Sequence, residues 1–152
     1  MKVKLAMQRA CAASWLPAKA EVKRWAAAAL KGRRKQAGLS LRIIDEAESA
    51  DLNGRYRGKA GPTNVLSFPF EPPPGLPDPQ PFIGDLAICA PVVAREALEQ
   101  GKSLEAHWAH LVVHGILHLL GHDHLDEAEA REMEALETRI LEDLGFPAPY
   151  EA

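Results

Sequence analysis

No stretch of this sequence approaches the roughly 20 consecutive apolar residues that a membrane-spanning helix needs, although hydrophobic residues make up 47% of it. Cysteine is nearly missing. Cys11 and Cys89 stand alone, outside any CxxC spacing, and two thiols without a secretion signal stay reduced. Both read as small apolar residues. The opening Met1-Lys-Val-Lys-Leu has charges but no apolar run behind them, so it is not a signal peptide. These absences exclude a helical membrane span and a disulfide scaffold, and they point to a cytoplasmic location. What is present suits one domain: 152 residues, 26% of them charged, can bury a single core, and residues 1–152 are expected to form one unit.

The net charge of -3 conceals an asymmetry. Residues 1–70 carry fourteen Lys and Arg against five Asp and Glu, whereas residues 71–152 carry four against sixteen. Much of the basic excess lies between Lys19 and Lys35, including Arg33 and Arg34, and in Arg55-Tyr56-Arg57-Gly58-Lys59. Such clusters suit phosphate binding even on an acidic protein, although a solvated helix face and a polar loop explain charge runs equally well.

Periodicity divides the chain into interleaved strands and helices. Val3 to Gln8 reads as a strand, and Val22, Trp25, Ala26, Ala29 and Leu30 give a helix from Pro17 to about Ala37, stopped by Gly38. Ser40 to Asp45 is a strand, and Asp45 caps a short helix that Asn53-Gly54 should stop. Val65 to Phe70 is a strand whose Pro69 confines it to a sheet edge. Six prolines between Glu71 and Pro81 make an extended loop, and Phe82 to Cys89 is the last strand. Helices then follow from Pro91 to Gln100, from Ser103 to Leu120 and from Asp126 to Leu144. The expected fold is α+β: one domain with a small mixed sheet of about four strands packed against about five helices, and a metal site at the end of a central helix.

All six histidines fall between His107 and His124. His107, His110, His114 and His118 follow a +3, +4, +4 rhythm that places them on one helix face. An i, i+4 pair can grip one ion, but a third histidine further along the same helix cannot converge on it. The third ligand must come from beyond a turn, which Gly121 supplies. His114-Gly-Ile-Leu-His118-Leu-Leu-Gly121-His122-Asp-His124 has the form HxxxHxxGxxH, the ligand spacing of metzincins, which selects His114, His118 and His124. Gly115 occupies the place of the glutamate that serves as base in HExxH peptidases, so peptide cleavage loses its main support. Three neutral imidazoles suit one zinc ion and leave a fourth position open to water, as in catalytic rather than structural sites. Asp85, Asp123 and His110 are candidates to stand behind these ligands and orient their rings.

At these residues the sequence resembles the YbeY family of bacterial endoribonucleases, whose signature is similar to HGxLHLxGYDH; His122 stands where tyrosine is frequent. Two further blocks resemble the family, Asn53 to Phe68 with Thr63-Asn64-Val-Leu-Ser67, and Gly84-Asp85-Leu-Ala-Ile. The resemblance implies a single-strand-specific, metal-dependent endoribonuclease that matures the 3′ end of small-subunit (16S) rRNA and serves ribosome quality control. Its partners would be rRNA, the small ribosomal subunit and associated assembly proteins. It also implies that Arg57 acts catalytically at the scissile phosphate, a role that suits a bidentate guanidinium. Arg55, Lys59, Arg33 and Arg34 are candidates to follow the RNA backbone. Thr63, Asn64 and Ser67 fit either RNA contacts or a strand-entry turn. The rival readings are a non-catalytic ribosome-assembly factor with a structural zinc and a metzincin-like hydrolase of another substrate.

Overall fold

Alternation of apolar and polar residues begins earlier than Ser40. In the computed structural model, which describes residues 2–77, 80–122 and 125–150, Ala37, Leu39, Leu41 and Ile43 point to one side of a strand that starts at Gln36. The first helix, α1 (Lys19–Leu30), therefore stops well short of Ala37. Gly32 turns the chain at φ 78°, and the Arg33 and Arg34 amides close the turn on the Leu30 carbonyl at 2.9 and 3.0 Å. Gly38 is no helix stop. It lies inside strand β2 (Gln36–Ile44), at a register shift against the neighbouring strand.

A second boundary moves in the opposite direction. Helix α2 (Glu46–Arg57) runs through Asn53-Gly54 and ends at Gly58, which takes φ 64°. Asn53 stays helical while its side-chain NH2 is engaged elsewhere, donating to the Gly61 carbonyl at 2.9 Å. Arg55 and Arg57 thus lie on the last helical turn rather than in a loop, and only Lys59 follows the cap.

The remaining elements are β1 (Lys2–Arg9), β3 (Val65–Pro69), β4 (Phe82–Cys89), α3 (Ala90–Gln100), α4 (Leu104–Leu119) and α5 (Glu127–Asp143). The four strands form one mixed sheet in the order β1-β2-β4-β3, with β3 antiparallel at the edge where Pro69 costs no ladder bond. This is the single small α+β domain expected, with four strands and five helices among the described residues. None of those helices is long and apolar enough to cross a membrane.

Strand parity sorts the layers. Val3, Leu5, Leu39, Leu41, Ile43, Leu86 and Ile88 face α1 and α4, whereas Ile44, Leu66, Ala87 and Cys89 face Val92 and Leu52 of α3 and α2. Helix α4 lies between the sheet and α5, and eleven of its sixteen residues are buried, as expected of a helix covered on several sides. That position makes its polar side chains conspicuous.

Gly84 lets β4 approach both neighbours. It takes φ 144°, and a Cβ there would run into the Phe68 carbonyl and come within 2.8 Å of Leu119 Cδ2. Gly84→Ala is therefore expected to destabilise the fold by about 2–4 kcal/mol in chemical denaturation, from combined backbone strain and overpacking. A loss below about 1 kcal/mol would contradict this account of the strand.

Candidate metal centre

The four histidines of α4 form a column of rings down one side of the helix, with successive centroids 6.0, 6.2 and 4.6 Å apart from His107 to His118. His114 and His118 are the closest pair, with their Nε2 atoms 3.1 Å apart. Ring nitrogens at that distance share either a proton or a cation. Two nitrogens bound to one tetrahedral zinc, each about 2.05 Å from it, stand about 3.3 Å apart, so the pair fits such an ion. Beyond α4 the chain reverses as anticipated. Gly121 takes φ 98°, its amide bonds the His118 carbonyl, and the His122 amide bonds the Leu117 carbonyl, each at 3.0 Å. His122 is exposed. Asp123 and His124 lie outside the described residues.

The other nitrogen of His114 meets a residue that sequence reasoning passed over. His114 Nδ1 hydrogen-bonds Glu137 Oε1, a carboxylate of α5 with 0% exposure. Glu137 Oε2 accepts from the Tyr150 hydroxyl and lies 3.4 Å from His110 Nε2, which is itself 3.2 Å from the Tyr150 oxygen. Burial opposes a charge on Glu137. The hydrogen bonds from His110 and His114, the charge of a protonated His114 and the Tyr150 hydroxyl outweigh it and bring its pKa to about 2. Burial and the Glu137 charge together push the Tyr150 hydroxyl well above its usual value. The pair is thus carboxylate and neutral phenol. An ionised carboxylate only accepts, so His114 carries a proton on Nδ1, and the neutral ring then has its lone pair on Nε2, the atom that faces His118.

His110, His114 and Glu137 form a group that can hold a metal ion, each offering one ligand atom, all within 4.8 Å of one another. The hydrogen bonding favours a division of labour within this cluster. Glu137 already serves three donors, and a carboxylate behind an imidazole is the usual means of orienting a metal-binding histidine. A sequence signal for Glu137 existed. Met133, Ile140 and Leu141 are the buried stripe of α5, and a glutamate at i+4 from Met133 falls within it.

Gly115, the residue in the peptidase-base position, faces the sheet. A Cβ there would come within 2.8 Å of Leu86 Cδ2, and its carbonyl accepts from Ser67 Oγ at 3.3 Å. His107 has a separate partner: its Nε2 lies 2.8 Å from Glu96, whose carboxylate also accepts from Asn64 Nδ2 at 3.1 Å. Burial depresses the pKa of His107 although Glu96 pulls it the other way. A cleft of about 370 Å³ runs along this face, lined by Asn64, Lys102, His107, His110, His114 and Tyr150 among others.

The remaining sequence-derived candidates disperse. Asp85 does not stand behind the histidines. Strand parity puts it on the face opposite Leu86 and α4, where it is exposed and accepts a hydrogen bond from Ser40 Oγ. His110 does adjoin the His114–Glu137 pair. Arg57, Arg55 and Lys59 are exposed at the end of α2, with Arg55 paired to Asp51 at 3.3 Å. Arg33 bonds the Ala29 and Lys31 carbonyls at 3.3 and 3.0 Å, and Arg34 bonds the Arg33 carbonyl at 3.4 Å, so both help finish α1. Thr63 exchanges bonds with Ser49 at 3.0 and 2.9 Å, and Asn64 accepts from the Val65 amide at 2.6 Å, as a strand-entry turn requires.

Removing the charge of Glu137 tests the arrangement. Glu137→Gln keeps the volume but loses the ionised acceptor, and it is expected to weaken divalent-ion binding about 10- to 100-fold in competition with a chromophoric chelator. Affinity within about twofold of wild type would contradict an orienting role.

Comparison with known proteins agrees with this architecture. The family model described as Endoribonuclease YbeY matches residues 9–145. A protein of Nitrosococcus oceani named Endoribonuclease YbeY is 54% identical over 152 residues, covering 100% of this chain and 99% of its own. One of the same name from Xanthomonas axonopodis pv. citri is 56% identical, covering 99% of this chain and 94% of its own. The solution structure of TM1509 from Thermotoga maritima shares the fold, with a TM-score of 0.62 over 99% of both chains at 21% identity. With a family model that matches most of its length and full-length relatives above half identity, the chain belongs to the YbeY family of endoribonucleases.

Proposed function

We propose that this protein is a zinc-dependent endoribonuclease that cuts single-stranded RNA and acts in the maturation of the 16S rRNA 3′ end and in ribosome quality control, meeting the small subunit and its assembly proteins in the cytoplasm. The observation that carries the reading is the convergence of His114 and His118 Nε2 at 3.1 Å, with Glu137 fixing the proton on the far side of the His114 ring. His124, two residues past the Gly121-His122 turn in sequence, is the third ligand in this proposal.

Each residue then has a task. His114, His118 and His124 would hold the ion, which when bound would supply Lewis acidity and make water more acidic. Glu137 holds the His114 proton at Nδ1. No carboxylate occupies position 115, so the reading assigns no protein base there. Arg57 neutralises the scissile phosphate. Its neighbour Tyr56 packs edge-on against Phe68 of β3 at 5.1 Å, while Ser67 of the same edge strand touches α4 at Gly115. An RNA strand crossing the β3 edge would reach both. Arg55, Lys59, Arg33 and Arg34 contact phosphates without reading sequence.

Metal-replete protein is expected to cleave single-stranded RNA and to leave duplex RNA and a peptide pool intact. His114→Ala and His118→Ala should each abolish zinc binding and cleavage, and Arg57→Ala should lower cleavage about 10²- to 10³-fold with zinc affinity unchanged. If stringently nuclease-free protein cuts no RNA while zinc holds the fold together, the assembly-factor reading replaces this one. If His110→Ala abolishes zinc binding and His118→Ala does not, the ion sits among His110, His114 and Glu137 instead.

A further inference from the structure

The segment after α5 has a function that the ribonuclease reading leaves unassigned. Phe146 anchors it. Its amide bonds the Leu141 carbonyl at 2.9 Å, and its ring meets buried Trp25 edge-on at 6.2 Å. Pro147 and Pro149 then restrict the path, and four residues beyond Phe146 the chain delivers Tyr150 to the rim of the cleft. There the Tyr150 ring stands nearly perpendicular to His110, 5.2 Å between centroids, and its hydroxyl donates to Glu137 Oε2.

We propose that Tyr150 is a positioning residue for the metal centre, acting through Glu137 to hold the His114 ring with its proton on Nδ1; the proposal rests on the reading of His114 as a ligand. A fully buried carboxylate needs donors on both oxygens. His114 serves Oε1, and Oε2 relies on Tyr150 and on the longer 3.4 Å approach of His110. Without the phenol O–H, Oε2 keeps only the longer contact. The carboxylate can then turn toward His110 and release His114 to take either tautomer. Tyr150 is 47% exposed, so it reaches the carboxylate from the solvent side and is not needed to fill the core.

The test compares wild type, Tyr150→Phe and His114→Ala. In metal-free protein, ¹H–¹⁵N ring correlations should give one His114 tautomer, Nδ1–H, in wild type and a mixture in Tyr150→Phe. The melting temperature in chelator should fall by only a few degrees, because phenylalanine preserves the packing and His110 keeps its contact with Oε2. Zinc release to a chelator should be about tenfold faster from Tyr150→Phe than from wild type. A single Nδ1–H tautomer in Tyr150→Phe, or zinc release at the wild-type rate, overturns the proposal. So does a loss of metal-free stability with zinc release unchanged. Zinc bound by His114→Ala as tightly as by wild type overturns the ligand assignment itself. The tautomer measurement contains no metal, so the two failures remain distinct.

Discussion

A carboxylate cut off from water stays charged only when donors replace the lost hydration. Glu137 meets that condition through His114, Tyr150 and His110, which come from two different segments of chain. Much else in the site depends on this. The ionised carboxylate selects the His114 tautomer, the tautomer exposes Nε2, and Nε2 makes a usable pair with His118. Helix α5 must lie against α4 for the carboxylate to reach, and the segment after α5 must fold back for the phenol to reach the carboxylate.

The layers supply that rigidity. Helix α4 has the sheet on one side and α5 on another, so its histidine column is held by core packing rather than by a loop. A site on such an element is set to within a fraction of an ångström by neighbours that cannot move without opening the core. Under the proposed function, substrate would come to a nearly fixed centre along the open face of α4. Basic side chains on α2, separated from that face by the edge strand, would then provide long-range attraction.

The amino-acid pattern revealed the chemistry better than the boundaries. The histidine column on α4 and the Gly121 turn were legible because helical spacing and a cap are local properties of one helix. The end of α1 was not, because Gly32 makes a turn and Gly38 a strand position beside a register shift, roles that a glycine count cannot separate. The end of α2 was misread for a related reason: Asn53 resembles a stop signal until its side chain is seen bonding Gly61. Asp85 was drawn toward the histidines by its place in a motif, yet one step of strand parity sends it to the other face. Glu137 left a faint trace, a charge in an apolar stripe. Tyr150 left none, since its partners come from helices 13 and 40 residues away along the chain.

The close seating of α4 at Gly115 also bears on which neighbouring activities are accessible by mutation. The spacing of the three histidines matches that of a peptidase motif, so one codon change to glutamate looks sufficient to install the missing base. In this fold it is not. The new Cβ would press on the Leu86 side chain, which would have to shift within the core to admit it. The glutamate would therefore come with a repacking of the core against α4. The packing of a helix on a sheet thus separates two hydrolytic chemistries that the linear motif places side by side.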